Sequence, residues 1–176
     1  MIKIIDDFFN QNDFELVQKF ALYEACYTPK FFDEALEKSK EFYYGSRFEL
    51  RHNPKLLDLF KDQAELKFGI KIKIIDDGSG IDLRNLDHFK PHEDTKAGVM
   101  NILVMISGPA AVTNGTVFYY GEGNHCELDI HVGFRENRAV MFPSNKIHSQ
   151  HASVVPNLKR FTATLFIKDY EEKHIL

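Results

Sequence analysis

The chain has 176 residues, 44% of them hydrophobic and 27% charged. That suits a globular domain with its own core and excludes a disordered chain. Its 22 basic and 26 acidic side chains leave a net charge of −4, which argues against a general nucleic-acid binder, whose footprint is basic.

No apolar run approaches the roughly 18 residues of a membrane span. The opening Met1-Ile2-Lys3-Ile4-Ile5-Asp6-Asp7 lacks the apolar stretch of a signal peptide. The two cysteines, Cys26 and Cys126, read as free thiols rather than a disulfide framework. The expected compartment is the cytoplasm. Sixteen Phe and seven Tyr without a Trp favour a β-rich core.

Residues 1–69 are expected to form a helical N-terminal part. Asn12-Asp13-Phe14-Glu15 offers a capping residue with Glu three later. Phe14, Val17 and Ala21, with Leu16 and Phe20, then make an apolar stripe at helical spacing. The stretch with Phe31, Phe32, Phe42 and Tyr43-Tyr44 fits no single period. Asn53 can cap a second helix, Pro54 suits its first position, and Gly69 can end it. Leu56, Leu57, Phe60 and Ala64 would line its buried face.

From residue 70 the period becomes two: Ile70, Ile72 and Ile74 alternate with Lys71 and Lys73. Asp77-Gly78-Ser79-Gly80 is a turn. Further strands are expected over 81–89, 98–107, 115–120, 125–132, 138–142, 147–154 and 158–168, with a charged tail over 169–176. Short strands with regular turn signals predict a mainly β (α+β) fold, a sandwich or jelly roll, with the helices buttressing one sheet. One domain spans the chain, its β core over 70–168.

Eight histidines invite a search for metal ligands. His92-Glu93-Asp94 has the form His-x-Asp. In an extended chain residues i and i+2 share a face, roughly 6.5–7 Å apart, so both can reach one ion. A third ligand must come from a distant strand. Two His and one carboxylate on one octahedral face leave three positions open, as in non-haem Fe(II) oxygenases. The pattern alone is weak, since eight His and 26 acids in 176 residues give roughly one chance match. His125/Glu127 is a second match, but 125–131 alternates as a polar, solvent-facing sheet edge. A distal ligand can come from the segment after Phe142-Pro143-Ser144, which carries His148 and His151. Three apart on a strand, they face opposite sides, so only one of them meets the metal.

Arg160, Thr162 and Thr164 share one face of the last long strand, and Phe161, Ala163 and Leu165 the other. An inward guanidinium needs an anion. A dicarboxylate held bidentately would supply one, as would a structural acid.

In this order, His-x-Asp, distant His and Arg-x-Thr, the chain resembles the 2-oxoglutarate/Fe(II)-dependent oxygenases, in their prolyl 4-hydroxylase-like branch, over roughly residues 81–168. Phe89-Lys90-Pro91-His92-Glu93-Asp94-Thr95 is similar to the family's proximal-ligand segment. Asn114-Gly115-Thr116-Val117-Phe118-Tyr119 is similar to its Gly-Gly-Thr-x-Phe hairpin strand, and Asn137 to Ser144 to the strand ahead of the distal His. The resemblance implies a double-stranded β-helix with Fe(II) held by His92, Asp94 and a distal His. It favours His148, four after Ser144, with His151, nine before Arg160, as the rival. It implies 2-oxoglutarate with its far carboxylate on Arg160 and Thr162, O2 as co-reactant, and hydroxylation of a peptidyl or small-molecule substrate with release of succinate and CO2. Many relatives carry a Tyr about eight residues before the proximal His. Here Leu83-Arg84-Asn85-Leu86 has none, and Asn101 is the candidate to complete the cosubstrate pocket, unless its amide is satisfied by backbone. Two rivals stand beside this reading. One is a cupin-type metalloenzyme that does not use 2-oxoglutarate, and the other a non-catalytic β-sandwich binding module with incidental histidines.

Overall fold

A computed structural model describes residues 1–31, 43–84, 91–110, 114–121, 126–151 and 159–173. Strand β1 (Lys3–Ile5) precedes helix α1 (Gln11–Lys19), which runs on into one π-helical turn over Phe20–Glu24. Strands β2 (Thr28–Phe31) and β3 (Tyr43–Glu49) follow, then helix α2 (Pro54–Phe68). The remaining strands are β4 (Ile70–Ile75), β5 (Gly80–Arg84), β6 (Met100–Ser107), β7 (Gly115–Tyr120), β8 (Glu127–Gly133), β9 (Ala139–Pro143), β10 (His148–His151) and β11 (Arg160–Glu172).

The cap of α1 is Asn10, not Asn12. Asn10 accepts from the Asp13 N–H and donates its amide to the Asp13 carboxylate, so the capping box lies two residues earlier than the sequence suggests. Phe14, Val17 and Ala21 are buried while Leu16 faces solvent, so the apolar stripe is narrower than expected. α2 starts and stops as its residues dictate. Asn53 accepts from the Leu56 N–H, Pro54 takes the first position, and Gly69 adopts the left-handed conformation (φ 67°) that releases the chain into β4. Leu56, Phe60 and Ala64 are buried.

The major sheet runs β1-β9-β6-β11-β5-β3-β2, with β4 also on β11, and a three-stranded sheet, β10-β7-β8, faces it. Two expectations need correction. Residues 1–69 are not simply helical, because β1, β2 and β3 belong to the major sheet. The stretch 169–172 is not tail, because β11 continues through it against β4. That pairing carries two register shifts, and opposite Asp169 it turns Ile74 outward, 52% exposed. The expected strand residues 85–89, 125, 152–154 and 158 lie outside the described residues.

Alternation along β11 gives the major sheet two unlike faces. Phe161, Ala163, Leu165 and Ile167, with Ile102, Val104 and Ile106 of β6, pack under the helices against Phe9, Val17 and Phe60. A smaller cluster of Met105, Phe118, Val132, Phe134, Val140 and Phe142 fills one part of the space between the sheets. The other part is a cavity. These antiparallel sheets form the jelly roll expected from the strand pattern, in the double-stranded β-helix form that the resemblance implies, with the helices on its outer face.

Candidate functional site

The segments that carry the expected ligands are tied together through the backbone. His92 and His148 exchange N–H···O=C hydrogen bonds, both 3.0 Å, and the Asp94 N–H donates to the Ser144 carbonyl at 2.8 Å. This short antiparallel contact brings both histidine rings to one side, with centroids 4.4 Å apart. Asp94 lies between them, with Oδ2 3.3 Å from His148 Nε2 and Oδ1 3.7 Å from His92 Nε2. One ligand atom from each of the three lies within 4.8 Å of the others, close enough to share one ion.

Neighbouring groups orient these donors. His148 Nδ1 is 2.9 Å from the Lys146 carbonyl. A carbonyl only accepts, so Nδ1 carries a hydrogen and Nε2 is the nitrogen turned to the site, where it donates a proton to Asp94 or, once that proton is lost, offers a lone pair to an ion. Phe142 packs on the same ring at 4.7 Å. Asn101, fully buried, donates its amide to Asp94 Oδ2 at 2.7 Å and accepts from the Ser144 hydroxyl at 3.0 Å. Asn101 is therefore placed behind the carboxylate and not on the cavity wall. Its side-chain hydrogen bonds go to Asp94 and Ser144, and the inward polarity on β6 is the sequence signal for this position. Burial opposes ionisation of Asp94, but the His148 hydrogen bond, both ring charges and the Asn101 amide together hold its carboxyl below the usual range.

The three groups sit on the wall of a cavity of about 250 Å3. Leu103, Phe142 and Phe166 give it apolar surface, and Thr116, Arg160, Thr162 and Thr164 line it as well. Arg160 is 2% exposed. Its guanidinium donates to the Gly115 carbonyl, to Thr116 Oγ1 at 3.2 Å and, at 3.5 Å, to Asn114 Oδ1. Gly115 allows β7 to pair closely with β8 here, since a Cβ there would collide with the Val132 carbonyl oxygen and come within 2.7 Å of His131 Nε2. Every one of these partners is neutral. Arg160 Nε has no partner at all among the described residues. Burial pushes the Arg160 guanidinium down to about 9, and the Arg84 charge adds to this while Asp82 opposes it.

Two cavity residues escaped the sequence reading. Arg47 makes a two-point contact with Asp82 (2.7 and 2.8 Å) and donates to the Gly78 carbonyl, and Arg84 donates to Asp82 at 3.3 Å. Both line the cavity. Nothing local marks them, because they reach it only through the pairing of β3, β5 and β11. His125 lies outside the described residues. Glu127 is exposed on β8, an edge strand. His151 ends β10 opposite Gly115, and its side chain is not among those described.

No protein-family model matches the chain, and no curated protein matches it. Solved structures do. The non-haem α-ketoglutarate-dependent epimerase SnoN from nogalamycin biosynthesis superposes with a TM-score of 0.64 at 11% identity, covering 97% of this chain and 78% of that one. HygX from Streptomyces hygroscopicus, with nickel and 2-oxoglutarate bound, gives 0.62 at 12%, covering 98% and 83%. A prolyl hydroxylase from Trichoplax adhaerens, in complex with a hypoxia-inducible-factor peptide fragment, gives 0.56 at 13%, covering 96% and 83%. The chain thus has the fold of these three proteins. No helix among the described residues is long and apolar enough to cross a membrane.

Proposed function

We propose that the chain is an Fe(II)- and 2-oxoglutarate-dependent oxygenase, of the prolyl 4-hydroxylase-like branch, that hydroxylates a peptidyl or small-molecule substrate. One observation carries the reading: His92, Asp94 and His148 converge on a cavity whose wall also holds a buried guanidinium with only neutral partners. The donor set suits ferrous iron and leaves coordination positions for small ligands. The unmatched cation suits the far carboxylate of a keto diacid. Motif order in the sequence and the folds of SnoN, HygX and the prolyl hydroxylase support the same reading. The two free cysteines fit a reducing, cytoplasmic setting.

Bound iron and 2-oxoglutarate would supply the oxidation by O2, with succinate and CO2 released. The chain's own part is positional. His92, Asp94 and His148 hold the ion, Asn101 and the Lys146 carbonyl fix two of those donors, and Arg160 with Thr162 aligns the diacid. Leu103, Phe142 and Phe166 keep that part of the cavity apolar, which strengthens the electrostatic contacts within it.

The test is anaerobic addition of Fe(II) and then 2-oxoglutarate, read by the visible charge-transfer band of the chelate, followed by succinate release in air. Both signals are expected in the wild type, and Asp94→Ala is expected to abolish succinate production coupled to substrate while the metal-free protein stays folded. Iron binding without any change on adding 2-oxoglutarate would move the assignment to a cupin-type metalloenzyme. No metal-dependent gain in melting temperature would leave a binding module, because any ligand of the native state must stabilise it.

A further inference from the structure

Strand β9 ends at Pro143, and the next residue, Ser144, turns all its polar groups toward the segment that carries Asp94 and Asn101. Its N–H donates to the Val99 carbonyl at 3.1 Å, its carbonyl accepts from the Asp94 N–H at 2.8 Å, and its hydroxyl donates to Asn101 Oδ1 at 3.0 Å. Ser144 is 1% exposed and Asn101 is fully buried, so these bonds are made away from bulk solvent, where they count for most. The two backbone bonds would form with almost any residue at this position. The third needs the hydroxyl.

That third bond has a chemical direction. An ionised carboxylate only accepts, so the edge of the Asn101 amide that meets Asp94 Oδ2 at 2.7 Å is its NH2 group. The carbonyl edge then faces Ser144, whose hydroxyl supplies the donor. Rotated by half a turn, the same amide would set its carbonyl oxygen against the carboxylate. A hydroxyl can also accept, so it is the pairing of both edges, carboxylate on one and hydroxyl on the other, that leaves a single satisfied orientation. We propose that Ser144 is a positioning residue of the metal centre: its hydroxyl locks the Asn101 amide in the orientation that holds Asp94 Oδ2, and so presents the carboxylate ready for the ion. The inference rests on His92, Asp94 and His148 holding the metal and deepens that reading. Without the lock only a fraction of the molecules carry a correctly aimed carboxylate, and metal affinity falls by that fraction.

The test titrates metal-free protein with Mn(II) by calorimetry, without any keto acid, and reads the melting temperature in parallel. Ser144→Ala removes the hydroxyl and keeps both backbone bonds. It is expected to weaken manganese about three- to tenfold, the worth of one neutral hydrogen bond. In a background of Asn101→Ala, where there is no amide to aim, the same change is expected to cost almost nothing, which makes the two substitutions non-additive. A purely structural hydroxyl would lower the melting temperature of the metal-free protein and leave manganese affinity as it was, and that result overturns the inference. So does a loss that persists in full without Asn101, because the hydroxyl then acts by another route. Either result leaves the oxygenase reading standing. A wild type that binds no manganese defeats the assignment of the three ligands and the inference with it. A failure of 2-oxoglutarate to bind the iron-loaded protein touches only the oxygenase reading, since no cosubstrate enters this test. Should Ser144→Ala not fold, Ser144→Cys carries it. The thiol is a weak donor, so manganese affinity is expected to fall about threefold, and an unchanged affinity overturns the lock.

Discussion

The two ends of the cavity are built on opposite plans. At the histidine end two of the three donors have a neutral partner that aims them: the Lys146 carbonyl for His148, and the Asn101 amide, itself fixed by Ser144, for Asp94. At the arginine end Arg47 and Arg84 pair with one buried carboxylate, Asp82, while Arg160 bonds only neutral groups among the described residues and keeps a nitrogen without a partner there. The first end is organised before a ligand arrives. At the second, no carboxylate of the described residues hydrogen-bonds Arg160. A small molecule that chelates a cation through one end and presents an anion at the other would satisfy both, and the length of the cavity sets how far apart those two functions sit.

The largest effect that would sharpen this contrast is at Asp82. Burial opposes its charge, but Arg47 first and then Arg84 hold its carboxyl below the usual range. A carboxyl with a lowered folded-state value adds stability that is fully present above its unfolded value of about 3.9 and fades as the pH falls through the folded one. Asp82→Asn removes the carboxylate that Arg47 and Arg84 share and is expected to cost about 3–5 kcal/mol near neutral pH, as for a broken buried ion pair. The loss should shrink in acid, where Asp82 itself becomes neutral. Urea titrations of both proteins from pH 7 to pH 3 check it. A difference below about 1 kcal/mol at pH 7, or one that does not vary with pH, would mean that the arginines do not depend on this carboxylate.

At the other end the effect is smaller, because Asn101 acts through Asp94. Asn101→Ala is expected to weaken metal binding about ten- to a hundredfold, the usual size for a group that orients a ligand. It should leave the affinity of 2-oxoglutarate for the metal-loaded protein nearly unchanged. If metal affinity stays put and cosubstrate affinity falls, Asn101 belongs to the cosubstrate pocket after all.

Much of the histidine end could be read from residue order, and little of the arginine end. His92, Asp94 and His148 are spaced so that two strands must bring them together, and the Phe142-Pro143-Ser144 turn before His148 marks where the second strand re-enters. Arg160, Thr162 and Thr164 follow from alternation along one strand, which the apolar residues between them make plain. Arg47 and Arg84 do not follow, because only the register of β3 on β5 and β5 on β11 decides which residues face them. The role of Asn101 was hidden for the same reason, since a side chain beside a ligand and one on a pocket wall share the same alternation. In the fold, β-branched and aromatic periodicity showed the strands after residue 70. The short β1 and the Pro-containing β2 carry too few residues to show a period, and they join the sheet by pairing with β9 and β3.

The smallest expected effect falls on Thr162, and it asks whether the arginine end uses charge alone. Thr162 is buried, lines the cavity two residues beyond Arg160, and lies opposite Asp82 in the register. Valine keeps its shape and removes only the hydroxyl. If that hydroxyl hydrogen-bonds the far carboxylate, Thr162→Val should weaken 2-oxoglutarate by about three- to tenfold, the range of one ordinary hydrogen bond of about 0.5–1.5 kcal/mol. Metal affinity and melting temperature should hardly move, because the hydroxyl is bonded to neither the ligands nor the core. Calorimetry on manganese-loaded protein reads the difference. An unchanged affinity would leave the diacid to the guanidinium groups alone. A loss as large as that of an arginine variant would instead mean that Thr162 positions Arg160, since a neutral contact cannot by itself account for so much.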